Sequence, residues 1–248
     1  MTTHNFTGNV FNFDILKQRV NEYNNFNSII LGGSGTGKTT LLKNILDNIE
    51  GIFQYVFLFI NKETNAIKNY ERYIAFNHCF SLEKIDENKR KNYIKDTVNK
   101  ISKFIHEHTK NNKILIITDD LGYNTKKYYG DLLENCRHDN VSNIILLHES
   151  KQIFDTSSVQ FFFFTDSKVI DDNLKKNFKK LDNIVIDIIS NDKIVVINDR
   201  EIYFIDRKNL NLNDSYFILS TDSEPIRKLS KIFRSILKDI SQCVSDEE

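Results

Sequence analysis

Short unbroken apolar runs alternate along this chain with longer stretches in which apolar side chains recur every three or four residues. This is the pattern of buried strands alternating with one-sided helices. The runs are residues 29–31 (IIL), Tyr55–Ile60 (YVFLFI), 113–120 (KILIITDD), 143–148 (NIILLH) and 159–164 (VQFFFF), and a short strand is expected at residues 73–76. Between the runs, Leu41, Leu42 and Ile45 fall at helical spacing, residues 82–108 predict one or two amphipathic helices through Ile85, Tyr93, Val98, Ile101 and Ile105, and residues 126–137 predict a helix with Tyr129, Leu132 and Leu133 inward. Such alternation predicts an α/β fold with a mainly parallel central sheet covered by helices. Past residue 165 the apolar segments shorten to residues 184–189, 194–197 and 202–205, separated by Asn/Asp turns, which predict antiparallel strands extending the sheet. Pro225 then opens a closing helix carrying Ile226, Leu229, Ile232, Phe233, Ile236, Leu237 and Ile240. Upstream, Phe13, Ile15, Leu16 and Val20 predict a short helix beside the first strand. The expected organisation is one domain, with residues 1–26 as an adaptor, 27–165 as the core and 166–248 as extension and closing helix.

The first core strand runs directly into Gly32–Thr39, GGSGTGKT, which fits G-x-x-x-x-G-K-T with a helix after it. Glycines without Cβ let the backbone turn tightly and aim N–H groups at phosphate oxygens, and the following helix adds its positive dipole end. Gly32, Gly33, Ser34, Gly35, Thr36, Gly37, Lys38, Thr39 and Thr40 are therefore candidate ATP-binding positions, with Lys38 directed at the β- and γ-phosphates and the Thr39 hydroxyl at Mg²⁺. Strand, complete motif and helix together make a bare glycine turn a poor account of this stretch.

Asp119 and Asp120 end the run ILIIT, at the carboxyl end of a core strand, where ligands of open α/β sheets bind. Such an acidic pair matches a Walker B element, with Asp119 holding Mg²⁺ through water and Asp120 orienting or deprotonating the attacking water. Many nucleotide-driven motors carry Glu at the second position, so this carboxylate is the shorter form.

Composition narrows the setting. Thirty-four basic residues balance 34 acidic ones, so any nucleic-acid contact must come from a local patch. Two clusters qualify: Lys175, Lys176, Lys179 and Lys180, and the stripe Arg227, Lys228, Lys231, Arg234 and Lys238, whose spacing puts it on one helix face. For both, a solvated helix face is the simpler account, and the C-terminal stripe is the better candidate for a phosphate-tracking surface. Cys79, Cys136 and Cys243 are widely separated without a C-x-x-C, which argues against a disulfide scaffold or a zinc site. No apolar run approaches the roughly 20 residues needed to span a bilayer, and MTTHNFTGNVFNFD lacks a charged-then-apolar leader pattern. The expectation is a soluble, intracellular protein in a reducing compartment with no membrane span.

The run from Lys126 onward resembles the DNA-packaging ATPases of poxviruses and other large nucleocytoplasmic DNA viruses, within the FtsK/HerA superfamily of P-loop ATPases. Arg137, His138, Asn140, Val141 and Ser142 match that family's R-H-x-N-[IV]-S, Asp119-Asp120-Leu121 match its D-D-L, and Lys38-Thr39 match its phosphate loop. The similarity covers roughly residues 11–165. It implies a RecA/FtsK-like fold and a homo-oligomeric ring that translocates double-stranded DNA into a preformed capsid, with Arg137 reaching a neighbouring subunit's nucleotide. Capsid proteins become expected partners, and the host cytoplasm or viral factory and the virion the expected locations. The family usually ends the strand after this motif with a Gln sensor; here the equivalent place is His148, followed by Glu149. An imidazole nitrogen can also hydrogen-bond a γ-phosphate or lytic water. The change equally suits a nucleotide-binding ring component with vestigial turnover. A helicase of another phosphate-loop family or a small-molecule kinase is a third reading, although a kinase needs an Arg-rich lid and the eight arginines are scattered.

Overall fold

A computed structural model of the chain describes residues 9–61, 70, 73–74, 78–108, 113–120, 140–149, 159–178, 189, 193–198 and 201–210. Among the described residues nine strands form one sheet: β1 (Asn9–Val10), β2 (Asn27–Leu31), β3 (Tyr55–Ile60), β4 (Cys79–Ser81), β5 (Ile114–Asp119), β6 (Val141–Leu147), β7 (Phe161–Phe164), β8 (Lys193–Asn198) and β9 (Glu201–Asp206). Their order is β1-β9-β8-β7-β2-β6-β5-β3-β4. The six strands from β7 to β4 are parallel throughout. The extension then reverses, β8 running antiparallel to β7 and β9 to β8, as the short runs at 194–197 and 202–205 predicted. At the edge, β1 pairs parallel with β9, an unanticipated strand from the Asn- and Phe-rich leader.

The central strands read as unbroken apolar runs because both faces of the sheet are covered. Phe57, Phe59, Ile114, Ile116, Phe162 and Phe164 face one layer, and Leu58, Ile60, Leu115, Ile117, Phe161 and Phe163 face the other. On the second side lie α1 (Asp14–Tyr23), through Leu16 and Val20, and α2 (Lys38–Asn48), through Leu41, Leu42, Ile45 and Leu46. Asn24, at φ 62°, ends α1 in the left-handed conformation that Asn tolerates better than most residues. The first side is covered by α3 (Glu87–His108), a single helix. The Asp86 carboxylate accepts the Asn88 N–H at 2.8 Å at its start, and Ile94, Val98 and Ile101 recur at intervals of four and three to meet the sheet. The short α4 (Asp172–Asn177) is capped by Asp171, which accepts the Leu174 N–H at 2.9 Å, and carries Lys175 and Lys176 in its last turn. In β7, Phe163 packs edge-on against Phe11 at 5.5 Å between centroids, so the leader is stapled to the core by aromatic contact. Truncating such a fully buried Phe costs about 3–5 kcal/mol.

Three expectations need correction or lie elsewhere. The strand expected at 73–76 forms instead at Cys79–Ser81, because pairing with Leu58, Phe59 and Ile60 of β3 selects that segment, while Tyr73 and Ile74 lie in a turn behind Tyr70. Ile189, the one described residue of the strand expected at 184–189, has helical backbone and packs on the α3 side. The helix at 126–137, the C-terminal helix with its basic stripe, and Lys179 and Lys180 lie outside the described residues.

Candidate active site

Strand order decides which side chains meet at the carboxyl end of the sheet. The strand feeding the glycine loop, β2, is flanked by β7 and β6, and β6 separates it from β5, which carries the acidic pair. Leu31 of β2 is in register with Leu147, and Leu146 with Asp119. The residue just past β6, His148, is thereby delivered between Lys38 and Asp120.

The loop is built around two positions where only glycine fits. A Cβ on Gly32 would lie 1.9 Å from Thr165 Oγ1 and 2.6 Å from Thr36 Oγ1, so the chain passes against the end of β7 only without a side chain. Gly37 opens α2 at φ 87°, a conformation costly for residues with a Cβ. The Thr36 hydroxyl, 2.9 Å from Gly33 O and 2.8 Å from Thr165 Oγ1, braces the loop from within. A cavity of about 280 Å³ opens above the loop, lined by Ser34, Gly35, Gly37, Lys38, Thr39, Thr40, Asp119 and His148.

Lys38 is buried, and its ammonium donates to Gly32 O at 2.6 Å and Gly33 O at 2.8 Å. It also contacts His148 Nδ1, at 3.2 Å. An ammonium can only donate, so Nδ1 accepts and the ring proton sits on Nε2, which points at Asp120 Oδ2 3.5 Å away. That second contact is long for a hydrogen bond and short enough for attraction. Asp120 itself adopts φ 54°, in the left-handed region where Asp is enriched among side-chain-bearing residues. The shorter carboxylate at this position agrees with the backbone that holds it.

Asp119 is buried and accepts the Tyr70 hydroxyl at 2.7 Å. Burial first, and then the Asp119 charge, push the Tyr70 hydroxyl far above the usual phenol range, so Tyr70 remains a donor; the Thr39 hydroxyl beside it pulls weakly the other way. Tyr70 thus stands next to both expected Mg²⁺ ligands. Sequence reasoning missed it because nothing local marks a tyrosine 49 residues before its carboxylate partner.

A second missed residue is Arg207, whose guanidinium donates to Thr36 O at 2.6 Å and to Thr165 O. Of the R-H-x-N-V-S match, Ser142 and Asn140 are structural where described. Ser142 Oγ accepts the Phe26 N–H at 3.0 Å at the opposite end of the sheet, and Asn140 turns at φ 55° into β6. Arg137 and His138 lie outside the described residues. No described helix is long and apolar enough to cross a membrane.

Similarity to known proteins follows the same geometry. The solved DNA-packaging ATPase B204 from Sulfolobus Turreted Icosahedral Virus superposes with a TM-score of 0.53 at 10% identity, covering 72% of this chain and 96% of that one. The genome packaging NTPase B204 from Sulfolobus turreted icosahedral virus 2, solved in complex with ATP-gammaS, gives 0.52 at 8% identity over 73% and 96% of the two chains. At such identities these likenesses establish a shared P-loop ATPase fold. No curated protein matches the chain. The sequence matches the family described as Poxvirus A32 protein over residues 12–241, nearly its whole length. The chain belongs to the poxvirus A32 family of viral genome-packaging ATPases.

Proposed function

We propose that this protein is an ATP-hydrolysing motor that translocates double-stranded viral DNA into a preformed capsid. The observation that carries the reading is the contact chain from Lys38 through His148 to Asp120, beside the cavity that Lys38 and His148 line. It joins the phosphate-binding cation and the candidate general base of this reading through one imidazole ring.

In this reading the N–H groups at the start of α2 and the Lys38 ammonium hold the triphosphate. Lys38 exchanges its contacts with the loop carbonyls for phosphate oxygens as it does so. Thr39 and Asp119 offer a hydroxyl and a carboxylate lining one cavity, an all-oxygen donor set that suits Mg²⁺. When bound, that ion neutralises charge developing on the β- and γ-phosphates. Asp120 accepts a hydrogen from the attacking water and turns its lone pair toward phosphorus, while His148 Nε2–H holds the Asp120 carboxylate in place and reports phosphate occupancy through Nδ1.

Family membership and fold support a larger assembly in this reading. The chain works as a homo-oligomeric ring, with Arg137 completing a neighbour's site and capsid proteins as docking partners in the infected host cell or virion. Residues 1–26, 27–165 and 166–248 act as one ATPase domain, a reading supported by β1, β8 and β9 joining the sheet of the core.

The test is the steady-state ATPase rate with and without double-stranded DNA. Stimulation several-fold above the basal rate is expected. A basal rate that DNA leaves unchanged, with nucleotide still bound, points instead to a ring held together by ATP without translocation.

A further inference from the structure

We propose that Arg207 is a positioning residue of the phosphate loop, holding the Thr36–Gly37 peptide so that the Gly37 N–H faces the bound phosphates. The proposal rests on the nucleotide-site reading above and adds a residue from the far side of the sheet.

Arg207 follows β9, which β8 and β7 separate from the loop-bearing strand β2. Its guanidinium nevertheless reaches back to two carbonyls, Nη1 to Thr36 O at 2.6 Å and Nη2 to Thr165 O. A planar fork suits two separate oxygens in a way a single ammonium does not. The two acceptors belong to different elements. Thr36 is in the loop, whereas Thr165 directly follows β7 and is tied to β2 by its N–H, 2.9 Å from Leu31 O. The guanidinium and the 2.8 Å contact between the Thr36 and Thr165 hydroxyls therefore cross-link loop and strand at two levels.

The consequence comes from the peptide plane. In a trans peptide the carbonyl of one residue and the N–H of the next point in opposite directions. Pinning Thr36 O toward Arg207 turns the Gly37 N–H the other way, to the side of the cavity that Gly37, Lys38, Thr39 and Thr40 line. Such a pin has something to restrain, since Gly35 at φ 75° and Gly37 at φ 87° flank this stretch and glycine is free to leave those conformations. The fit is close, because a Cβ on Gly37 would stand 3.3 Å from Nη1.

What places Arg207 is the extension itself. It opens a short 3-10 turn (Arg207–Asn209) whose preceding Asp206 accepts the Lys208 N–H at 3.0 Å. Its strand is paired on one side by β8 and on the other by β1, with Phe11 N donating to Phe204 O at 2.9 Å. The antiparallel hairpin thus delivers a cation to the outer wall of the loop.

The test titrates the native chain, Arg207→Gln, Arg207→Lys and Lys38→Ala with ATP and with inorganic tripolyphosphate, and records each protein's ligand-free melting temperature. Arg207→Gln should lose about tenfold or more in affinity for both ligands, since hydrogen bonds to a charged group order the binding loop, while its melting temperature stays near native. Arg207→Lys should recover part of the loss and remain about threefold weaker, because one ammonium holds one carbonyl. Native affinity in Arg207→Gln for both ligands overturns the proposal. So does a loss for ATP that tripolyphosphate does not share, which would mean that Arg207 touches the nucleoside. If Arg207→Gln does not fold, Arg207→Lys decides between the expected loss for both ligands and native binding. Failure of the native chain to bind either ligand, or binding indifferent to Lys38→Ala, sinks the phosphate site and this assignment together; binding that needs Lys38 and ignores Arg207 sinks this assignment alone.

Discussion

The imidazole Nδ1 of His148 accepts a hydrogen bond from the Lys38 ammonium at 3.2 Å. The contact fixes the tautomer and directs Nε2–H at Asp120. A glutamine side chain, with one carbonyl acceptor and one amide donor, can reproduce both contacts.

His148→Gln should therefore stay active, whereas His148→Ala should lose turnover by a factor on the order of 10² with ATP affinity near native. Turnover by His148→Ala at the native rate would make His148 a mere strand end and direct attention to Glu149.

Lys38→Ala and Asp120→Asn should fail differently. The first leaves phosphate charge uncompensated and should abolish useful nucleotide binding. The second keeps a residue that tolerates the φ of 54° found there, so the fold and ATP binding should survive while hydrolysis stops. Isothermal titration alongside phosphate release separates the two. Near-native affinity in Lys38→Ala, or near-native turnover in Asp120→Asn, contradicts the assigned roles.

Arg137 should act on a neighbouring subunit. Within one subunit the phosphates already have Lys38, whereas arginine fingers delivered by a partner are worth on the order of 10³–10⁵ in rate. Mixed rings of inactive Arg137→Ala and inactive Asp120→Asn should regain activity, and mixed rings that never exceed either parent would exclude action in trans.

Acid should destabilise the fold through His78, whose ring packs on Phe57 with centroids 4.7 Å apart. Burial, opposed weakly by a hydrogen bond to the Val56 backbone, lowers its pKa from 6.5 to about 4. The unfolded chain binds the proton first as pH falls, so this contribution to stability is complete above pH 6.5 and is lost progressively toward pH 4. Denaturant unfolding at pH 7.5 and pH 5 should show the native chain losing on the order of 1–3 kcal/mol more than His78→Phe. Equal losses in the two proteins would mean that His78 titrates freely.

Much of this protein was legible in one dimension. The run YVFLFI forms a strand over the same residues, because a strand covered on both faces must be apolar throughout and local sequence records that directly. Gly32–Thr39 announced its loop because phosphate binding demands glycine and lysine at fixed spacing within one short segment. The order of the strands was not legible, and order is what sets His148 between Lys38 and Asp120. Local pattern also misplaced β4 at residues 73–76, since Tyr73 and Ile74 share a hydrophobic cluster with Tyr70, whereas pairing with β3 selects Cys79–Ser81. Tyr70 and Arg207 carry no local mark at all. Their partners lie 49 residues away, at Asp119, and 171 and 42 residues away, at Thr36 and Thr165. Contacts over such separations exist only once the sheet has assembled, and tertiary structure alone decides them.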